Sequence, residues 1–171
     1  MTELLFIRHG VAMAPEEAEA RGIPESERPL TEKGRRRTRL AALGLARLLR
    51  PHRLLTSPLR RARETAELFA RAFDPPPPVE VADWLAPGGL ERGLFPALAA
   101  RGEVPCLALV GHEPDLSAAL AQAVCGRPGA RLEMKKAACA LVRFAGPPAP
   151  GTGELVWLLP PRVLRLLGGE R

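Results

Sequence analysis

The chain has 171 residues, 46% of them hydrophobic, and a formal net charge of +6. That length suits a single domain over 1–171, which buries roughly two-thirds of its unfolded surface and can hold a rigid site without disulfides or a metal. The apolar content excludes a wholly disordered chain, and no stretch approaches the length of a membrane span.

Glu3–Ile7 is a short apolar run that ends in a polar turn, Arg8-His9-Gly10. It predicts a buried strand followed by a loop. Residues 12–30 are polar and rich in Glu and Pro, and are expected to be irregular. Thr31 reads as a helix cap with Glu32 in the first turn. Ala41, Leu45, Leu48 and Leu49 continue that helix to about Arg50, before Pro51.

Arg53–Thr56 predicts a second strand. Ser57-Pro58 follows as an N-cap with proline at the first helical position. Leu59, Ala62, Ala66, Phe69 and Phe73 make an amphipathic stripe, which the prolines at 75–78 end. Val79–Ala82 is a short third strand, and residues 90–100 a helix bent at Pro96.

Cys106–Val110 is a continuous apolar run, as expected of a central strand. Gly111-His112-Glu113 is the turn after it, and Pro114-Asp115 open a helix reaching about Val124. Ala137–Phe144 and Leu155–Leu159 predict two more strands, and Arg162–Leu167 a closing helix. Strands alternating with helices predict an α/β class fold, a three-layer α/β/α sandwich with a mostly parallel central sheet. The last two strands are expected as an antiparallel addition.

Arg supplies 22 of the 25 basic residues. A planar guanidinium meets two phosphate oxygens at once, so this excess favours phosphorylated or polyanionic partners. An Arg-rich solvated surface explains many of them equally well. A basic nucleic-acid-binding module is the alternative from another class. Aromatic content of 4% and the lack of a binding motif argue against it, so no nucleic-acid partner is expected.

The three cysteines, Cys106, Cys125 and Cys139, are odd in number and form no Cys-x-x-Cys, which predicts reduced thiols and no zinc site. Met1-Thr2-Glu3 lacks the basic start of a signal peptide. A soluble, cytoplasmic protein without a membrane partner is expected. The chain has no Asn, no Tyr and one Gln, Gln122. Depletion of thermolabile amides fits a heat-adapted source, and the base composition of the genome explains it equally well.

In such a sheet, ligands bind beyond the carboxyl ends of the strands. Arg8-His9-Gly10, the Ser57–Arg61 segment and Gly111-His112-Glu113 each lie just past a predicted strand. Three distant segments thus bring two of the chain's three histidines and several arginines to one edge. A neutral imidazole is a good nucleophile toward phosphorus. Phosphoryl transfer also needs charge neutralised on three equatorial oxygens. No carboxylate cluster points to a metal, so arginines would carry that task. Gly10 permits a sharp turn beside the nucleophile.

Leu5-Phe-Ile-Arg-His-Gly10 resembles the signature of the histidine phosphatase superfamily, the phosphoglycerate mutase-like fold. Arg28-Pro-Leu-Thr-Glu-Lys-Gly34, Ser57-Pro-Leu-Arg-Arg-Ala-Arg-Glu-Thr-Ala66 and Val110-Gly-His-Glu-Pro-Asp115 match further family segments, in family order. The resemblance implies His9 as nucleophile, with Arg8, Arg61 and His112 as the phosphate clamp and no cofactor. Helical spacing alone does not select Arg61; by spacing, Arg63 lies nearer the buried stripe. Arg60 and Arg63 are expected at the surface, paired with Glu64 or Glu67.

The short length, the Arg28-Pro-Leu-Thr opening and Met134-Lys-Lys-Ala-Ala before a late strand are most similar to the SixA-type phosphohistidine phosphatases. The resemblance therefore implies a phosphohistidine-bearing protein as partner. A small phosphorylated metabolite, in a mutase-like or phosphomonoesterase reading, is the alternative. The resemblance implies that members with ester substrates supply a carboxylic acid to protonate the leaving oxygen, and a general acid contributes about 10²–10⁴-fold. Asp83 is the candidate by position and matches no motif. A phosphorylated imidazole needs less help in leaving.

Overall fold

A computed structural model describes residues 1–102, 104–129 and 132–170, without the side chains of residues 91 and 92. The chain order is β1 (Thr2–Arg8), α1 (Pro15–Ala20), α2 (Glu32–Leu45), β2 (Arg53–Thr56), α3 (Arg60–Ala70), β3 (Val79–Val81), α4 (Leu90–Arg101), β4 (Cys106–Gly111), α5 (Asp115–Cys125), β5 (Cys139–Phe144), β6 (Gly153–Leu159) and α6 (Pro161–Leu167). Short 3₁₀ turns cover Glu25–Glu27 and Asp83–Leu85.

The six strands form one sheet in the order β3-β2-β4-β1-β5-β6. β1 to β4 are mutually parallel, β5 is antiparallel to β1, and β6 is antiparallel to β5. β5 is thus the one reversed strand. Alternation along β1 sorts its side chains between two cores. Leu4 and Phe6 pack with Leu107, Leu109, Leu116 and Leu120 on the α4–α5 face. Leu5 and Ile7 pack with Leu45, Val110, Phe69 and Leu164 on the α2–α3–α6 face. Both faces are covered, which is why the central strands read as unbroken apolar runs. This is the expected three-layer α/β/α sandwich with a mostly parallel central sheet.

Several boundaries differ from the sequence reading. Residues 12–30 are not irregular throughout: they hold α1, a 3₁₀ turn and an Ala12–Leu30 bridge. α2 starts as expected, with the Thr31 hydroxyl accepting from Gly34 N at 2.9 Å, but ends at Leu45. Beyond it Leu48 is exposed, so the apolar spacing overshoots into a tight turn. α2 lies close against α6: a Cβ on Gly44 would collide with the Leu164 carbonyl. Ser57 caps nothing. α3 begins three residues later, after Leu59, and its stripe stops short of Phe73. β5 starts at Cys139, because Ala137 takes a left-handed φ of 64° that breaks the strand.

Candidate active site

Backbone hydrogen bonds fasten the sheet-edge turns to one another. His9 N donates to Gly111 O at 3.1 Å, Ser57 N to Val110 O at 3.0 Å, and Ala137 N to His9 O at 3.2 Å. The Arg8, Ser57 and His112 segments therefore share one floor, and His9, Arg61 and His112 are all buried there.

The rings of His9 and His112 lie 5.0 Å apart between centroids, tilted by 52°. His9 Nδ1 faces the Gly10 carbonyl at 2.7 Å. A carbonyl only accepts, so Nδ1 carries the proton and Nε2 keeps its lone pair. Burial pushes the His9 pKa down to about 3; the Gly10 carbonyl opposes this, and His112, Arg61 and Arg8 reinforce it. The ring is neutral at pH 7. Burial, then Arg61, pushes His112 down to about 4. His112 Nε2 is 2.8 Å from Ser57 Oγ.

The loop after His9 is gauged against α3. Gly10 N donates to Thr65 Oγ1 at 3.0 Å, and that hydroxyl donates to Arg61 O at 2.7 Å. Gly10 is required on its other side too. A Cβ there would stand closer than 3.0 Å to the Thr38 hydroxyl and 3.4 Å from Leu30 Cδ2.

Arg8 Nη1 donates to Met134 O at 2.7 Å, and Arg61 Nη1 to Glu25 O at 3.1 Å. Neither guanidinium is fully satisfied. Arg8 Nε, Arg61 Nε and His112 Nδ1 are buried with no hydrogen-bond partner. Buried polar atoms left unpartnered are uncommon and costly. Three such atoms, on two arginines and one imidazole that all act on the charge of His9, are chemically suited to meet the oxygens of an anion.

The match to known proteins agrees with this geometry. Residues 4–86 match the family described as Histidine phosphatase superfamily (branch 1). An uncharacterized protein of Picosynechococcus sp. (strain ATCC 27264 / PCC 7002 / PR-6) is 43% identical over 139 residues, 79% of this chain and 81% of that one. The chain belongs to the histidine phosphatase superfamily. It is accordingly a phosphatase, as the sequence reading expects.

Among solved structures, the protein histidine phosphatase SixA complexed with tungstate is similar with a TM-score of 0.75 and 25% identity, covering 95% of this chain and 99% of that one. A phosphoserine phosphatase mutant from Entamoeba histolytica in complex with phosphoserine shares the fold with a TM-score of 0.69 and 15% identity, covering 96% and 100%.

The remaining site expectations divide. Asp83 follows β3 on the same sheet edge as the histidines, but it is exposed in its 3₁₀ turn. Arg60 pairs with Glu64 at 2.9 Å, as expected. Arg63 pairs instead with Glu27 at 3.2 Å, in the 12–30 segment. Arg61 is buried although Arg63 lies nearer the apolar stripe by spacing: it shares the inward face of α3 with Thr65 and Phe69, and its guanidinium meets the 12–30 segment at Glu25 O.

Three residues near the site escape the sequence reading. Ser57, taken there for a cap, faces His112. Glu25 lies 3.1 Å from Arg61 and 2.7 Å from Arg28. The Arg28 hydrogen bond is the main cause holding its carboxyl below the usual range. Glu113, next to His112, is half-buried; burial raises its pKa, Ser117 Oγ donates to Oε2, and Oε1 is buried without a partner. Ser57 and Glu113 sit inside matched motif segments, which offers a signal. Glu25 has none, since 36 residues separate it from Arg61.

Proposed function

We propose that this chain is a metal-independent protein phosphohistidine phosphatase that works through a phosphoryl intermediate on His9. The supporting observation is the neutral His9 imidazole, with Nδ1 engaged by Gly10 O and Nε2 free, beside unpartnered atoms of Arg8, Arg61 and His112. In this reading the phosphoryl group sits among those three side chains. The Nε2 lone pair attacks phosphorus in line, a P–N bond forms on His9, and the bond to the leaving nitrogen breaks. The arginines hold the equatorial oxygens and balance their charge. Water then attacks the phosphoryl-His9, releases inorganic phosphate and restores the neutral ring.

The exposure of Asp83 favours a leaving group that needs little protonation, as a phosphorylated imidazole does. A second reading, hydrolysis of phosphomonoesters of small metabolites, rests on Glu113. Its half-buried carboxyl has a raised pKa beside the site and would retain a proton better than an exposed one. A reducing, cytoplasmic setting fits the two buried thiols, since burial pushes Cys106 up to about 12 and raises Cys139 as well.

The test is His9→Ala assayed on a phosphohistidine protein and on a panel of phosphorylated metabolites. Turnover should fall by several orders of magnitude, and the unaltered protein should carry an acid-labile, base-stable label from a phosphoryl donor. Retained turnover in His9→Ala removes the proposed nucleophile. Preference for metabolites, lost in Glu113→Gln, decides for the second reading.

A further inference from the structure

A second cationic feature adjoins the site and, Arg8 apart, takes no part in the chemistry above. β1 ends at Arg8, whose Nη1 reaches Met134 O in the segment that leads into β5. The next residues, Lys135 and Lys136, are exposed. β5 runs against β1, so this segment returns to the sheet edge that carries His9. α2 brings Arg37 and Thr38 to the same place, and α6 brings Arg165. Together they line a groove of about 340 Å³ with Arg8 in its wall.

The charge balance of that groove is one-sided. Arg8, Arg37, Lys135, Lys136 and Arg165 face it, against the single carboxylate of Glu133. Arg165 is tied to Glu170 at 2.7 Å. Among the described residues, no ion pair engages Arg37, Lys135 or Lys136. The Thr38 hydroxyl, fully buried in the groove wall, has no hydrogen-bond partner. Uncompensated like charges in a concave site repel one another and raise the local concentration of anions. A cluster of this kind is stabilised when an anion fills it.

We propose that this groove binds a second anionic group of the substrate, a phosphate or carboxylate that is not transferred, on the β5–α6 side of the reacting phosphoryl. Arg8 then touches both groups, with its inner face toward His9 and its outer face toward the groove. The inference rests on the reading of His9 as nucleophile, because it fixes which phosphoryl reacts. The second group comes either from a bisphosphorylated small molecule or from acidic side chains flanking a phosphohistidine.

The experiment compares the unaltered protein with Lys135→Glu/Lys136→Glu and with Arg37→Gln. The substrates are p-nitrophenyl phosphate, fructose 1,6-bisphosphate, a phosphohistidine peptide flanked by Glu, and the same peptide flanked by Gln. In the double variant, kcat/KM for a substrate with a second anion should fall about tenfold or more relative to p-nitrophenyl phosphate, through KM. A selective loss on the bisphosphate assigns the groove to a small-molecule phosphate. A selective loss on the Glu-flanked peptide assigns it to protein carboxylates. Equal changes on all four substrates, or none, overturn the proposal. His9→Ala in the same assays separates the two levels: an active His9→Ala defeats the nucleophile, whereas an inactive one with unselective charge variants defeats only the groove.

Discussion

Gly10→Ala tests how tightly the nucleophile loop is held. The new Cβ would stand within 3.0 Å of Thr38 Oγ1. Thr38 is fully buried and a helical threonine has two χ1 wells, so either its hydroxyl turns within a packed core or the loop moves. Overpacking of this kind costs about 1–3 kcal/mol. The movement also strains two hydrogen bonds, Gly10 N to Thr65 and His9 Nδ1 to Gly10 O, worth about 1 kcal/mol each. With both bonds lost the total is about 3–5 kcal/mol, which lowers Tm by roughly 2–4 °C per kcal/mol in a protein of this size. With His9 as the proposed nucleophile, a displacement of about 1 Å also loses on the order of 100-fold in rate. Thr38→Ala removes the obstructing hydroxyl, which has no partner to lose, so alone it should stay within about 1 kcal/mol of the parent. The double variant should recover most of the lost stability and rate. Calorimetry with p-nitrophenyl phosphate kinetics decides the matter. An unchanged Gly10→Ala protein, or a double variant whose losses merely add, refutes the steric account.

Three other expectations follow from the site. Both histidine pKa values are depressed in the fold, so their contribution to stability is complete above the unfolded value near 6.5 and is lost as pH falls toward 4 and 3. Unfolding free energy should drop by about 1.4 kcal/mol per pH unit for each histidine across that window. Imidazole ¹⁵N shifts should show His9 neutral at pH 5; a midpoint near 6.5 defeats the argument. Glu25→Gln frees Arg61 from a carboxylate that is 60% exposed, so vanadate or phosphate should bind a few-fold tighter, about 2–5-fold, by calorimetry; weaker binding would mean that Glu25 helps hold the anion. Arg61→Lys should lose at least about tenfold in kcat/KM, because a point charge cannot make a forked contact. Arg63→Ala, at an exposed ion pair, should change it by less than about twofold.

The central frame was readable because β1 and β4 are covered on both faces, leaving apolar runs with polar turns at their ends. The 12–30 segment was not. α1 buries only Ala18, so it has no apolar period to detect. Its hold on the rest of the chain comes from charges far away in sequence: Arg63 on Glu27, Arg61 on Glu25, and Leu30 N donating to Glu64 at 2.8 Å. Glu64 also binds Arg35 and Arg60. Burial works to raise its pKa, but Leu30 N–H and the two arginines outweigh it and lower it. Spacing misjudged Arg61 because the buried face of α3 runs through Arg61, Thr65 and Phe69 as well as the alanines, while the folded-over segment meets its guanidinium through Glu25. Ser57-Pro58 carried the residues of a helix start, yet His112 claims the serine hydroxyl.

The Thr65 hydroxyl joins the turn after the nucleophile to the backbone of Arg61. One oxygen atom thus links the His9 turn to the helix that carries Arg61. A change in the core that slides α3 pulls on that oxygen, against the bonds of His9 N to Gly111 O and Ala137 N to His9 O that hold the turn to the sheet. Replacing this one threonine would release the turn from the helix and leave it fastened to the sheet alone.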